Sequence, residues 1–149
     1  MKGRRGLTLV ELTVTMLVIG IVGAVASLKY AEALKEHRNR ACLKTVYHSL
    51  VDAQAGARTR GTPVTVQFQK NQAVYTITGL PNPTRPSAPY SINLATIAPG
   101  TKISDNYTVT FNGFGHPTAT TLVEINGSGK KRNVKVDGVS GAITILPSS

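Results

Sequence analysis

A chain of 149 residues has room for one domain of ordinary size and an appended segment, but not for a second independent core. Hydrophobic residues make up 41%, which excludes both a disordered polymer and a polytopic membrane protein as descriptions of the whole chain. The formal net charge of +10, from 17 Lys and Arg against 7 Asp and Glu, admits nucleic acid, anionic lipid headgroups or plain solubility as its reason, and the single cysteine excludes an intramolecular disulfide and a cysteine-based metal site.

The first six residues, Met1-Lys2-Gly3-Arg4-Arg5-Gly6, are short and basic, and they precede an apolar run from Leu7 to Leu28 whose only ionisable residue is Glu11. As a helix rising ~1.5 Å per residue the run reaches roughly 33 Å, enough to cross a bilayer core. Three readings are open. One is a secretory signal cut after Ala24-Val25-Ala26, which would release a soluble secreted protein beginning at Ser27. Another is a single-pass anchor with the basic residues on the cytoplasmic side. Both leave Glu11 unexplained, because a carboxylate near the end of a membrane helix costs on the order of 2 to 3 kcal/mol on insertion scales.

The third reading accounts for it. Arg5-Gly6-Leu7-Thr8-Leu9-Val10-Glu11-Leu12 resembles the prepilin signature, a basic leader ending in Gly ahead of an apolar helix with a glutamate at its fifth position. The resemblance implies cleavage by a prepilin peptidase between Gly6 and Leu7, methylation of the new amine of Leu7, and pairing of Glu11 with the N-terminal amine of a neighbouring subunit. Two opposite charges in an apolar setting are each costly alone and attract strongly together. Leu7 stands where Phe is most common in that family. Leu28 stands near the place where many pilins carry a helix-kinking Pro.

From Lys29 to Arg60 the composition favours continued helix, with no Pro and only Gly56 as a weak point. Leu43, Val46, Tyr47, Leu50, Val51 and Ala57 recur at three- and four-residue steps and mark one apolar face, where Cys42 serves as a small packing residue. Arg58 and Arg60, then Gly61 and Pro63, form a stop signal. One helix over about Leu7 to Arg60 is therefore expected, apolar first and amphipathic after.

Beyond it the period becomes two. Val64–Phe68 and Val74–Ile77 read as a hairpin turning at Gln69–Gln72, and the four prolines between Pro81 and Pro89 read as a surface loop. Tyr107–Phe111, Thr120–Ile125, Val134–Val136 and Ala142–Ile145 read as further strands, with turns at Gly127-Ser128-Gly129 and Gly138–Gly141. The expected fold is α+β: a long N-terminal helix, membrane-spanning in its first half, packed against an antiparallel β-sheet head. The segments are a leader 1–6, a transmembrane and assembly helix 7–28, its amphipathic continuation 29–61, and a β-rich head 62–149.

Ala55–Val66 is similar to the junction between helix and first strand in the GspH/FimT family of minor pilins and pseudopilins, and Phe111-Asn112-Gly113-Phe114-Gly115 is similar to that family's second sheet. This resemblance implies a structural or tip component of a type IV pilus or a type II secretion pseudopilus. Its partners would be other pilin subunits, the prepilin peptidase and the inner membrane, with the periplasm or cell surface as the later location.

No enzyme, cofactor or metal site is expected. His37 and His48 are too far apart on the helix to share a metal, no Gly-x-Ser-x-Gly elbow or phosphate-binding loop is present, and Asp52, Asp105 and Asp137 are isolated in sequence. Asn106 and Asn126, which head glycosylation-like triplets, read as turn asparagines. Lys130, Lys131 and Arg132, with Lys135 behind, read as a basic hairpin tip suited to phosphate contact. Some pilins of the FimT type bind DNA through arginines near the C-terminus, so DNA is an alternative partner. That family's Gly-Arg-x-Arg pattern is absent, however, and the nearest sequence is Gly129-Lys130-Lys131-Arg132. A solvated turn that protects a sheet edge is the plainer account of these charges.

Overall fold

The computed structural model describes residues 8–86, 88–127 and 130–147, so the Gly6–Leu7 junction lies outside the described residues. A single helix, α1, runs Leu9–Arg60, and the chain divides into two units between Glu36 and His37. The helix ends where the sequence signals predict. Gly61 takes φ 63°, the left-handed conformation that lets the chain leave a helix without a Cβ clash, and Pro63 cannot continue one.

In the first unit the apolar side chains of α1 are exposed, among them Leu9, Val14, Leu17, Ile19 and Val22. The helix is long and apolar enough to cross a membrane, with a mean hydropathy of 2.3 over its most apolar stretch. Its hydroxyls are satisfied within the helix: Thr13 Oγ1 donates to the Val10 carbonyl at 2.9 Å, Thr15 to Leu12 at 2.8 Å and Ser27 to Ala24 at 2.8 Å. Such back-bonding removes the penalty that an unpaired polar group would carry in hydrocarbon.

In the second unit the helix turns one face into a core. Cys42, Leu43, Val46, Leu50, Ala53 and Ala57 are buried, at the three- and four-residue steps of one helical stripe. Two polar residues share that face. Ser49 meets the Tyr75 hydroxyl at 2.7 Å, and Asn39 Nδ2 donates to the Gly127 carbonyl at 2.9 Å.

The strands are β1 (Val64–Phe68), β2 (Val74–Thr78), β3 (Tyr90–Asn93), β4 (Lys102–Ile103), β5 (Tyr107–Phe111), β6 (Thr121–Gly127), β7 (Lys130–Val136) and β8 (Ile143–Leu146). They form two four-stranded antiparallel sheets, in the orders β3-β2-β1-β5 and β4-β6-β7-β8. Inward positions of both sheets, including Val66, Phe68, Tyr75, Phe111, Val123 and Val134, join the helix stripe in one hydrophobic cluster. Each fully buried side chain of this size contributes roughly 1.5 to 3 kcal/mol.

The expected α+β architecture is thus present, with two sheets in place of one. The chain enters the second sheet at β4, returns to the first for β5, and leaves it again after β5. There the chain turns back, Thr118 N donates to the Thr110 carbonyl at 2.9 Å, and Phe111 bridges Pro117. Pro117 has no N–H to extend that ladder, and β6 pairs elsewhere. Two strands went unanticipated: β3 follows directly on the proline-rich loop, and β4 is too short to show a period.

Candidate assembly helix and basic strand

Glu11 lies in the first turn of α1 and is exposed. Its backbone N–H points at Thr8 Oγ1, 3.3 Å away, so Thr8 acts as the N-cap. The pattern Thr8-x-x-Glu11 is the sequence signature of a capping box and could have been read in advance. A negative charge here also suits the positive end of the helix dipole. Gly6 and Leu7, the expected cleavage and methylation positions, lie outside the described residues.

The basic cluster is not a hairpin tip. Residues 130–136 form β7, paired with β6 over its whole length: Gly127 faces Lys130, Asn126 faces Lys131 and Ile125 faces Arg132. Side chains alternate along a strand, so the cluster is divided between two faces. Lys130 and Arg132 share the face of buried Val134 and Val136. With Asn39, Leu43, Thr101, Ile125 and Gly127 they line a cavity of about 10 Å³, the space of one water. Lys131 and Lys135 take the outer face. Lys131 Nζ is 2.9 Å from Glu124 Oε1, and Lys135 Nζ is 3.7 Å from Asp137 Oδ2. The hydrogen bond from Lys131 holds the Glu124 carboxyl below its ordinary range and raises the lysine. Asn126 likewise sits in β6 and not in a turn, because the ladder continues past it to Gly127.

Cys42 is buried, with its Sγ 3.5 Å from the Leu94 carbonyl, and burial raises its pKa above the ordinary thiol value. It is a packing group beside the turn at Leu94–Thr96. His37 and His48 are both exposed on α1. Among the described residues no three His, Cys, Asp or Glu side chains are placed to hold a metal ion.

A basic N-terminus, an apolar first part of α1 that carries one carboxylate, and an α+β head whose core is shared by the later part of the helix and two antiparallel sheets make up a pilin-like fold. Residues 1–27 match the family described as the prokaryotic N-terminal methylation motif. The chain is similar to the type IV minor pilin FimU of Pseudomonas aeruginosa in two crystal structures, each with a TM-score of 0.56 and 16% sequence identity. Both alignments cover 74% of this chain, and they cover 91% and 96% of the FimU chains. No curated protein matches the sequence.

Proposed function

We propose that this chain is a minor pilin or pseudopilin, a structural or tip subunit of a type IV pilus or a type II secretion pseudopilus. The observation that carries the reading is the methylation motif over residues 1–27, overlapping an apolar run from Leu7 to Leu28 whose sole carboxylate is Glu11. A prepilin peptidase cuts between Gly6 and Leu7, and Leu7 then carries a methylated amine. The apolar part of α1 anchors the subunit in the inner membrane and later packs among the helices of its neighbours. Glu11 neutralises the N-terminal amine of an adjacent subunit, and only the correct axial register brings the two charges together. The head faces the periplasm or the cell surface, where it serves as a contact surface for other subunits.

Two measurements test this. The intact mass of the protein extracted from membranes is expected to correspond to a chain beginning at methylated Leu7; a chain beginning at Ser27 would establish a conventional secretory signal and remove the assembly role. Sheared filaments are expected to contain the protein at a low ratio to their main subunit. Its absence from filaments and from the membrane assembly complex would remove the subunit role.

A further inference from the structure

Two apolar side chains stand out on the surface of the second unit: Phe114, 80% exposed, and Val139, 91% exposed. They lie on different turns, 112–116 after β5 and 137–141 between β7 and β8. One side chain brings those turns together. Gln54 Nε2 donates to the Gly115 carbonyl and to the Gly141 carbonyl, at 3.0 Å each, so its two amide hydrogens serve one turn apiece.

Each turn is also held from within. Asn112 Oδ1 accepts from the N–H groups of Phe114 and His116 at 3.0 and 2.9 Å. Asp137 Oδ1 accepts from those of Val139 and Ser140 at 2.9 and 3.2 Å. Arg58 Nε adds a bond to the Phe114 carbonyl at 3.1 Å. The exposed apolar groups are therefore presented by fixed backbone, which lowers the ordering cost of burying them against a partner.

The charge beside them is one-sided. Arg58 adjoins the Phe114 turn, and Arg60 stands two residues on, in the last turn of α1. Among the described residues neither makes an ion pair. The acid of the Val139 turn, Asp137, is occupied by its own turn and by Lys135. A second copy would bring the same arginines to the contact, which opposes association.

We propose that the Phe114 and Val139 turns form a docking surface for a different protein, one that presents an apolar recess within an acidic surface. The proposal holds whether or not that protein belongs to a filament, so it stands apart from the assignment above. The test uses the full chain in its own cells, with the photo-reactive residue benzoylphenylalanine placed at 139 and, separately, at 114. Both positions are expected to give an adduct with the same protein, net negative in sequence. Binding of that purified protein to the full chain should weaken at least about tenfold with Phe114→Ala, which removes an exposed side chain and leaves the fold intact. It should weaken again with Arg58→Glu and Arg60→Glu together. An adduct with a second copy of the chain, an adduct with a net-positive protein, no adduct at either position, or binding unchanged by Phe114→Ala would each overturn the proposal.

Discussion

Asn39 of α1 and Gly127 of β6, 88 residues apart, are joined by a buried 2.9 Å hydrogen bond from the carboxamide to the backbone carbonyl. The contact is close on both sides. A Cβ built on Gly127 would lie 2.5 Å from Asn39 Oδ1, so a larger residue there would push the carboxamide out of this hydrogen bond. A buried polar group on the helix stripe is thereby satisfied, and it ties the helix to the end of the β6–β7 pair.

From this pair a stability coupling is expected. Asn39→Ala should cost about 1 to 3 kcal/mol, because the Gly127 carbonyl is left buried without its donor. Gly127→Ala should be destabilising in the native background, and much less so once Asn39 is Ala and the clash is gone. Thermal melts of the four proteins in a double-mutant cycle check this. Simple additivity would show that the two residues act independently.

At the other end of the helix, Glu11→Ala separates the cap from the charge. The bond to Thr8 Oγ1 comes from the backbone N–H of Glu11, so the alanine variant keeps it. Head stability and circular dichroism should be unchanged, while incorporation into filaments falls. Thr8→Ala should do the reverse, losing about 1 kcal/mol of helix capping with the carboxylate still in place. Immunoblots of sheared filaments against whole cells measure the difference, and wild-type incorporation of the Glu11 variant would argue against an assembly role.

Tyr75 provides a pH prediction. Burial raises its pKa far above the ordinary tyrosine value, partly offset by the hydrogen bond to Ser49. With the folded pKa raised, the neutral phenol is favoured in the native state. Its contribution is fully present below the unfolded value of about 10 and is lost as pH rises past it. Tyr75→Phe should therefore cost about 1 kcal/mol at neutral pH and flatten the decline in stability above pH ~10. Some decline should remain, because burial also raises Tyr90 and Tyr107. Urea titrations at several alkaline pH values test it; identical slopes for variant and wild type would contradict it.

Duplex DNA should bind weakly. A phosphate on the outer face of β7 would have to displace Glu124 from Lys131 and Asp137 from Lys135. We expect dissociation constants no tighter than about 10⁻⁶ M at physiological salt, the range of non-specific contact. The salt slope should change by no more than about one unit when Lys131 and Lys135 become Ala, and gel shifts at two ionic strengths suffice. Tighter binding that disappears with those two lysines would make β7 a nucleic-acid surface.

The helix and most strands were legible because their signals are local. The three- and four-residue steps from Leu43 to Ala57, the stop at Gly61 and Pro63, and the alternation of Val64–Phe68 and Tyr107–Phe111 are all set within a few residues. The methylation motif is readable for the same reason, since it lies in a short linear stretch. Tertiary structure alone decided the rest. It split the strands into two sheets, since pairing depends on which edges meet and where Pro117 ends a ladder. It placed Lys130 and Arg132 on one face of β7 and Lys131 and Lys135 on the other, because Lys130–Asn133 pairs with β6 and does not form a tip. It also gave Asn39 and Gln54 their roles, through partners 88 residues away for one and 61 and 87 for the other. Separations of that length leave no periodic trace in a sequence, because the chain between them is free to take any path until the core closes.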